Sequence, residues 1–450
     1  MENTLPINGR IVIVDDKEKE VAPLMRILSR NSMPYVYVKP ELSFLPQQPY
    51  NDVRLLFLDL NLLGENPQNE KAIKSQLYNV LQRIISASNF PYVIVLWSVQ
   101  EKDYKHIVDE LFAKELSDRK PIAIYPFVKS DFFPIVGGEE VECDKDILVE
   151  LNNLISNQPA YRAILTWENA VHNAADHVLD EIFENGTDWN NHANYVLSEL
   201  GKAYAGQHYG ELSNEEKIKR GLFVFNSMYS DTLDDEINTA TLPQEEIEGN
   251  VEEEQKIKIS AHINNKLLVT NIFRENTEPG MILQYQDNTH TFCRKCSLIS
   301  NCISKMFISK RLRDEQPEVI SEDGLRKLGN QEFKKIKKEI EDDSTKIAII
   351  VTPSCDYAQN KTRVDRLIEG IIVPSKYKQY FLHNEAVYCS PTFMYNTIPC
   401  VIVLDYRCLV TAHIGEMKNI TPLFKLRRQL LAEIQSQLSR HINRQGIMNL

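Results

Sequence analysis

Four short apolar runs in the first third of the chain each end in a side chain able to do chemistry. RIVIV runs into Asp15 and Asp16, VRLLFL into Asp59, VIVLW into Ser98 and IAIYPFV into Lys129. Runs of this length, bounded by polar segments, read as buried strands of a parallel sheet. In such sheets ligands sit beyond the carboxyl ends of the strands, so all five side chains are expected on one edge. Between the runs, KEKEVAPLMRILSR and NEKAIKSQLYNVLQRIISAS carry apolar residues every three or four positions, the helical period. The alternation predicts an α/β domain with a doubly wound, parallel, five-stranded sheet.

The grouping has a chemical logic. Three crowded carboxylates repel one another unless a hard, oxygen-loving cation holds them, and Mg²⁺ suits a site of few carboxylates plus water. Asp59, alone after its run, is the natural nucleophile, because an aspartate can form an acyl phosphate. Lys129 would balance the charge on the transferring phosphoryl group, and Ser98 would offer a hydroxyl to one of its oxygens. The bland reading is that these are ordinary polar residues after strands, which any one of them alone would be.

This arrangement resembles the receiver domain of two-component response regulators, over about residues 8 to 140. The resemblance implies that Asp15 and Asp16 are the acidic pair holding Mg²⁺ and that Asp59 is the phosphoacceptor and a further ligand. It likewise makes Ser98 the switch hydroxyl and Lys129 the family's lysine, with Asn61 supplying a backbone carbonyl to the metal. It also implies a histidine kinase as phosphodonor. Several details depart from the family pattern. Leu63 stands where a proline usually follows the acceptor, Ser130 replaces the proline after the lysine, and Pro126 occupies the place of the switch aromatic, flanked by Tyr125 and Phe127. The longer gaps from Asp59 to Ser98 and from Ser98 to Lys129 resemble divergent receivers of bacterial conflict and defence systems. The alternative to a working phosphoacceptor is a noncatalytic pseudo-receiver that keeps the shape as a scaffold.

The 450 residues are enough for about three domains, and 43% hydrophobic with 25% charged residues is a globular composition. No stretch approaches the roughly 20 apolar residues of a membrane helix, and MENTLPINGR lacks the basic and apolar regions of a signal peptide. A cytoplasmic protein with no membrane partner is expected. A net charge of −12 and the lack of a basic helix-turn-helix pattern disfavour a transcription-factor output. A local basic face, and with it a nucleic-acid partner, stays open, as does a homodimer.

Residues 1–140 are read as the receiver-like domain, 141–255 as a helical connector ending in an acidic linker, and 256–450 as a β-rich effector domain. The linker is PQEEIEGNVEEEQK, rich in like charge and poor in apolar residues. Beyond it, KIKISAHI, KLLVTNIF, MILQYQ, KIAIIVT, EGIIVP and PCVIVLDYRCLVTAHI read as strands. SEDGLRKLGNQEFKKIKKEIEDD reads as a solvated helical insertion, and a closing helix is expected from Pro422 to about Arg444.

HTFCRKCSLISNC brings Cys293, Cys296 and Cys302 close in sequence, the first two at a spacing that lets two thiolates grip one metal. Cys355 is the leading fourth ligand and His290 the next, for zinc or an iron–sulfur cluster. The alternative is a set of reduced thiols, with Cys389, Cys400 and Cys408 as small core residues. Cys355, after an apolar run, also reads as a nucleophile that His383 or His413 could activate. Three functions therefore stand: a phosphorylated switch relaying to a C-terminal effector, a hydrolase or nucleic-acid-acting effector with its site in the C-terminal domain, or a noncatalytic scaffold.

Overall fold

The computed structural model describes residues 10–60, 62, 70–98, 101–136, 139–140, 145–183, 188–273, 277–284, 298–315, 322–353, 364–413 and 421–443. The chain falls into two compact units, Met1–Glu248 and Gly249–Leu450.

In the first unit the apolar runs are strands. β1 (Ile11–Val14), β2 (Tyr35–Val38), β3 (Leu55–Leu58), β4 (Val93–Ser98) and β5 (Ala123–Val128) form one all-parallel sheet in the order β2-β1-β3-β4-β5. Alternate residues of each strand go to opposite faces. Val12, Val14, Leu56, Leu58, Ile94 and Leu96 pack under α2 (Glu70–Ile84) and α3 (Glu101–Ala113). Ile11, Ile13, Leu55, Phe57, Val93 and Trp97 pack on the other face under α1 (Glu18–Arg30). Helices therefore cover both faces, which is why these strands read as unbroken apolar runs. The connection from β2 to β3, residues 39–54, contains no helix.

After β5 come a short helix α4 (Lys129–Phe132), a small hairpin of β6 (Ile135–Val136) and β7 (Glu139–Glu140), and then α5 (Ile147–Ser156) and α6 (Pro159–Ile182). Asp146 caps α5 by accepting hydrogen bonds from the Leu148 and Val149 amides. Ile147, Leu151 and Ile155 of α5, with Tyr161 and Leu165 of α6, belong to the same buried cluster as Ile11 and Trp97. The helical region thus begins on the parallel sheet. It continues as α7 (Trp189–Ala205) and α8 (Asn214–Thr239), which α8 opens with a capping box between Ser213 and Glu216.

The second unit contains α9 (Glu253–Leu268), β8 (Val269–Thr270), β9 (Met281–Gln284), α10 (Leu298–Cys302), α11 (Lys305–Glu315) and α12 (Glu322–Asp343). These are followed by β10 (Thr345–Ile350), β11 (Val364–Pro374), β12 (Val387–Cys389), β13 (Phe393–Tyr395), β14 (Ile398–His413), β15 (Thr421–Leu426) and α13 (Arg428–Ile442). Its sheet runs β12-β14-β11-β10-β9-β15-β8, with β13 also paired to β14, and every pairing is antiparallel. Leu430, Leu431, Ile434 and Leu438 of α13 pack on one face of this sheet, and Ile336 and Ile340 of α12 on the other. The register between β11 and β14 shifts at Gly370, where a Cβ would lie 2.6 Å from the Val403 carbonyl oxygen.

Two expectations need correction. KIKISAHI and the first three residues of KLLVTNIF are not strands but α9, and of the rest only Val269 and Thr270 are extended. Ile257, Ile259 and Ile263 are exposed, so their alternation marks no buried face, and an acidic first turn with a Glu254–Lys258 ion pair favours the helix. The closing helix starts at Arg428 and not at Pro422, because residues 421–426 pair with β9 as β15. No helix among the described residues is long and apolar enough to cross a membrane.

Candidate functional site

Strand register builds the site. Val14 lies beside Leu58, so the residues that follow, Asp15 and Asp59, emerge side by side at the carboxyl ends of β1 and β3. Ser98 ends β4 in register with Val128, and Lys129 follows as the first residue of α4.

Four predicted residues come together here. Asp15, Asp16 and Asp59 each offer a carboxylate oxygen, and these oxygens lie within 4.8 Å of one another. Lys129 Nζ reaches Asp15 Oδ2 at 2.6 Å and Asp59 Oδ2 at 3.3 Å. Asp15, Asp59 and Lys129 are all buried, with Asp15 wholly inaccessible. The Lys17 amide donates to Asp15 Oδ1 at 2.8 Å, and Tyr37 donates to the Asp15 carbonyl at 3.0 Å. These bonds fix the acidic turn after β1.

The polar side of α1 adds Glu20, which the apolar pattern could not single out. Its Oε2 lies 3.0 Å from Lys129 Nζ, and its Oε1 lies 3.1 Å from Lys17 Nζ. The available signal was its place in the first turn of a helix that starts two residues after Asp16.

The electrostatics follow from burial and crowding. Burial pushes Asp15 up to about 7 against the pull of Lys129, and Asp59 adds to the rise. Asp16 is raised by burial and then by Asp59. For Lys129, burial opposes the charge, but Asp59 and Asp15 more than offset it and keep the ammonium protonated. Burial alone would raise Glu20, yet the hydrogen bond from Lys129 holds it below the usual carboxylate range.

This donor set fits a hard divalent cation. All its donor atoms are oxygens, and Asp16 Oδ1 is buried with no hydrogen-bond partner, an acceptor that a cation would satisfy. Asp15, Asp16 and Asp59 are the residues that would hold Mg²⁺.

The remaining predicted residues divide. Asn61 lies outside the described residues, and of Ser98 the backbone alone is described. Cys293, Cys296 and Cys355 also lie outside them, as does His290. Cys302 is fully buried at the end of α10, where burial, reinforced by the Asp405 carboxylate, pushes its thiol up to about 12. Its Sγ lies 3.8 Å from Asp405 Oδ2, which also accepts from Arg407 Nη2 at 2.9 Å. Cys400 and Cys408 are buried and Cys389 is half-buried, and all of these, with Cys302, are free of disulfides.

No family model matches the chain, and neither a curated protein nor a solved structure matches it.

Proposed function

We propose that the first unit is a phosphoaspartyl switch of the response-regulator receiver type, modified on Asp59 by a histidine kinase and relaying its state to the C-terminal unit. The observation that carries this reading is the placement of Lys129 Nζ between Asp15 and Asp59, beside the unpaired Asp16 Oδ1. The strand order β2-β1-β3-β4-β5 supports it, since that order puts a ligand crevice between β1 and β3, where Asp15 and Asp59 emerge.

In the proposed reaction an Asp59 carboxylate oxygen attacks the phosphorus of a phosphorylated imidazole. The new O–P bond forms as the P–N bond breaks, and the imidazole nitrogen keeps the electron pair. Asp15, Asp16 and Asp59 would hold Mg²⁺, which when bound would supply charge stabilisation for the phosphoryl oxygens. Lys129 stays protonated throughout and can exchange a carboxylate partner for a phosphoryl oxygen, with no proton transfer required. Ser98, ending β4, would donate its hydroxyl to another oxygen.

A route onward is supported by packing. Lys129 opens α4, whose Phe132 stacks on Phe127 with ring centroids 5.0 Å apart and meets Trp97 at 6.2 Å. Those rings share a core with α5 and α6. A shift of Lys129 would therefore strain the seat of the helical region.

The test is exposure of the full chain to acetyl phosphate with Mg²⁺. The expected result is one added phosphoryl group, mapped to Asp59 and lost in Asp59→Asn or with chelator. Unmodified mass in wild type, together with no effect of beryllofluoride on tryptophan fluorescence, would overturn the reading.

A further inference from the structure

The second unit carries a cleft of about 640 Å³ beside β12, the edge strand of its sheet. Volumes of roughly 300–1,000 Å³ are those of small-molecule sites. One wall is α13, through Glu433, Gln437 and Arg440, which share a face at helical spacing. The facing wall includes Lys378 and Tyr388.

The polar groups here are poorly matched by the protein itself. Tyr388 is only 4% exposed, and its hydroxyl has no hydrogen-bond partner. Tyr406, its neighbour at 6.5 Å between ring centroids, is 2% exposed with an equally unpaired hydroxyl. His441 lies against Tyr406 at 6.1 Å, and its buried Nδ1 is unpaired as well. Of these three, Tyr388 alone lines the cleft, with Tyr406 and His441 behind it, and an unpaired buried polar atom is uncommon enough to suit a partner from outside the fold.

Charge narrows the class of partner. Lys378 is half-buried, yet the one hydrogen bond of its ammonium among the described residues is a long contact of 3.4 Å to the Ser390 carbonyl. Neither Lys378 nor Arg440 has an ion-pair partner among the described residues. A half-buried ammonium without a carboxylate suits an anion. Two carboxylates, Glu385 and Glu433, the latter accepting from Gln437 at 3.2 Å, also line the cleft and favour a ligand that carries donors besides its anion.

We propose that this cleft binds a small organic anion, of phosphate or carboxylate type, with its charged oxygens at Lys378 and Arg440 and a neutral polar group on the Tyr388 hydroxyl. The site is independent of the Asp59 chemistry and gives the second unit a ligand-binding role of its own.

The test is calorimetric titration of the full chain with AMP and with citrate, alongside adenosine and inorganic phosphate. AMP or citrate is expected to bind one per chain with Kd below about 1 mM, and which of them binds identifies the oxygen group. Adenosine should not bind. Lys378→Ala and Arg440→Ala should each weaken binding by about tenfold or more. Tyr388→Phe should weaken it by about threefold or more while slowing hydrogen exchange in β12, because it removes an unpaired buried hydroxyl from the unliganded fold. A tyrosine with a purely structural role would leave binding unchanged. Absence of AMP and citrate binding up to about 10 mM overturns the proposal, as does binding that survives both cation removals. Inorganic phosphate binding as tightly as AMP overturns the organic part of it.

Discussion

Glu20 shares the Lys129 ammonium with the candidate acceptor. Lys129 Nζ lies 3.0 Å from Glu20 Oε2 and 3.3 Å from Asp59 Oδ2, so the carboxylate on α1 holds the lysine at least as closely as Asp59 does. A phosphoryl group on Asp59 must compete with Glu20 for that charge. Glu20→Gln keeps the shape and weakens the competitor. The expected outcome is about 3- to 10-fold tighter beryllofluoride binding, read by tryptophan fluorescence, with Asp59→Asn silent in the same assay. All three tryptophans, Trp97, Trp167 and Trp189, lie in the first unit, which makes this signal specific to it.

Metal affinity should depend on pH through Asp15. Its carboxyl, raised from 3.8 to about 7, must lose a proton before it can ligate, so Mg²⁺ affinity is expected to rise as pH increases through about 7, with proton release on binding. The stability of the metal-free first unit should run the other way. Because the folded state holds this proton more tightly than the unfolded chain, stability is greatest below about 4 on this account and is lost as pH rises toward 7. Glu20 is lowered, so its contribution falls away only below the ordinary carboxylate range, outside that window. Urea unfolding followed by tryptophan emission at pH 5 and 8, with chelator and with Mg²⁺, checks both signs. A chelator curve that is more stable at pH 8 contradicts the Asp15 assignment.

The sheet and most of the candidate site were legible because burial on both faces leaves a strong local mark. Ile11–Val14 and Leu55–Leu58 are uniformly apolar, and the first polar residue after each is where the site starts. Glu20 was illegible for the opposite reason: a glutamate in a first helical turn is what any solvated helix shows, and only the fold brings it to Lys129. The strand at Thr421–Leu426 was hidden because its extended form comes from pairing with β9, a contact remote in sequence. At α9 the alternation of Ile257 and Ile259 mimicked a strand, although neither side chain is buried.

At the opposite end of the sheet, Glu168 on α6 ties the helical region to the strands. Arg54 Nε and Nη2 donate to it at 2.9 and 2.7 Å, and Arg10 Nη1 lies 2.5 Å away. Both arginines are buried, at the positions where β1 and β3 begin. Glu168→Ala would remove the carboxylate that two buried guanidinium groups share. The expected loss is about 3–5 kcal/mol in the first unit, seen as a lower urea midpoint by tryptophan emission. Glu168→Asp, which shortens the reach but keeps the charge, should lose less. Equal losses would place the effect in packing and not in charge.

Helices α7 and α8 cross at two glycines, the residues they bury most completely. A Cβ on Gly221 would lie 2.7 Å from the Leu197 carbonyl oxygen, and one on Gly201 would lie 2.9 Å from the Lys217 carbonyl oxygen. Both clashes are with backbone, so a shifted side chain cannot relieve them. Helix propensity alone predicts that Gly221→Ala stabilises α8 by about 1 kcal/mol. The close approach predicts the reverse, a loss of about 1–3 kcal/mol as the helices are forced apart. Hydrogen exchange decides between them: faster exchange in both α7 and α8 of Gly221→Ala is expected, whereas slower exchange confined to α8 would show that the crossing relaxes and that propensity governs.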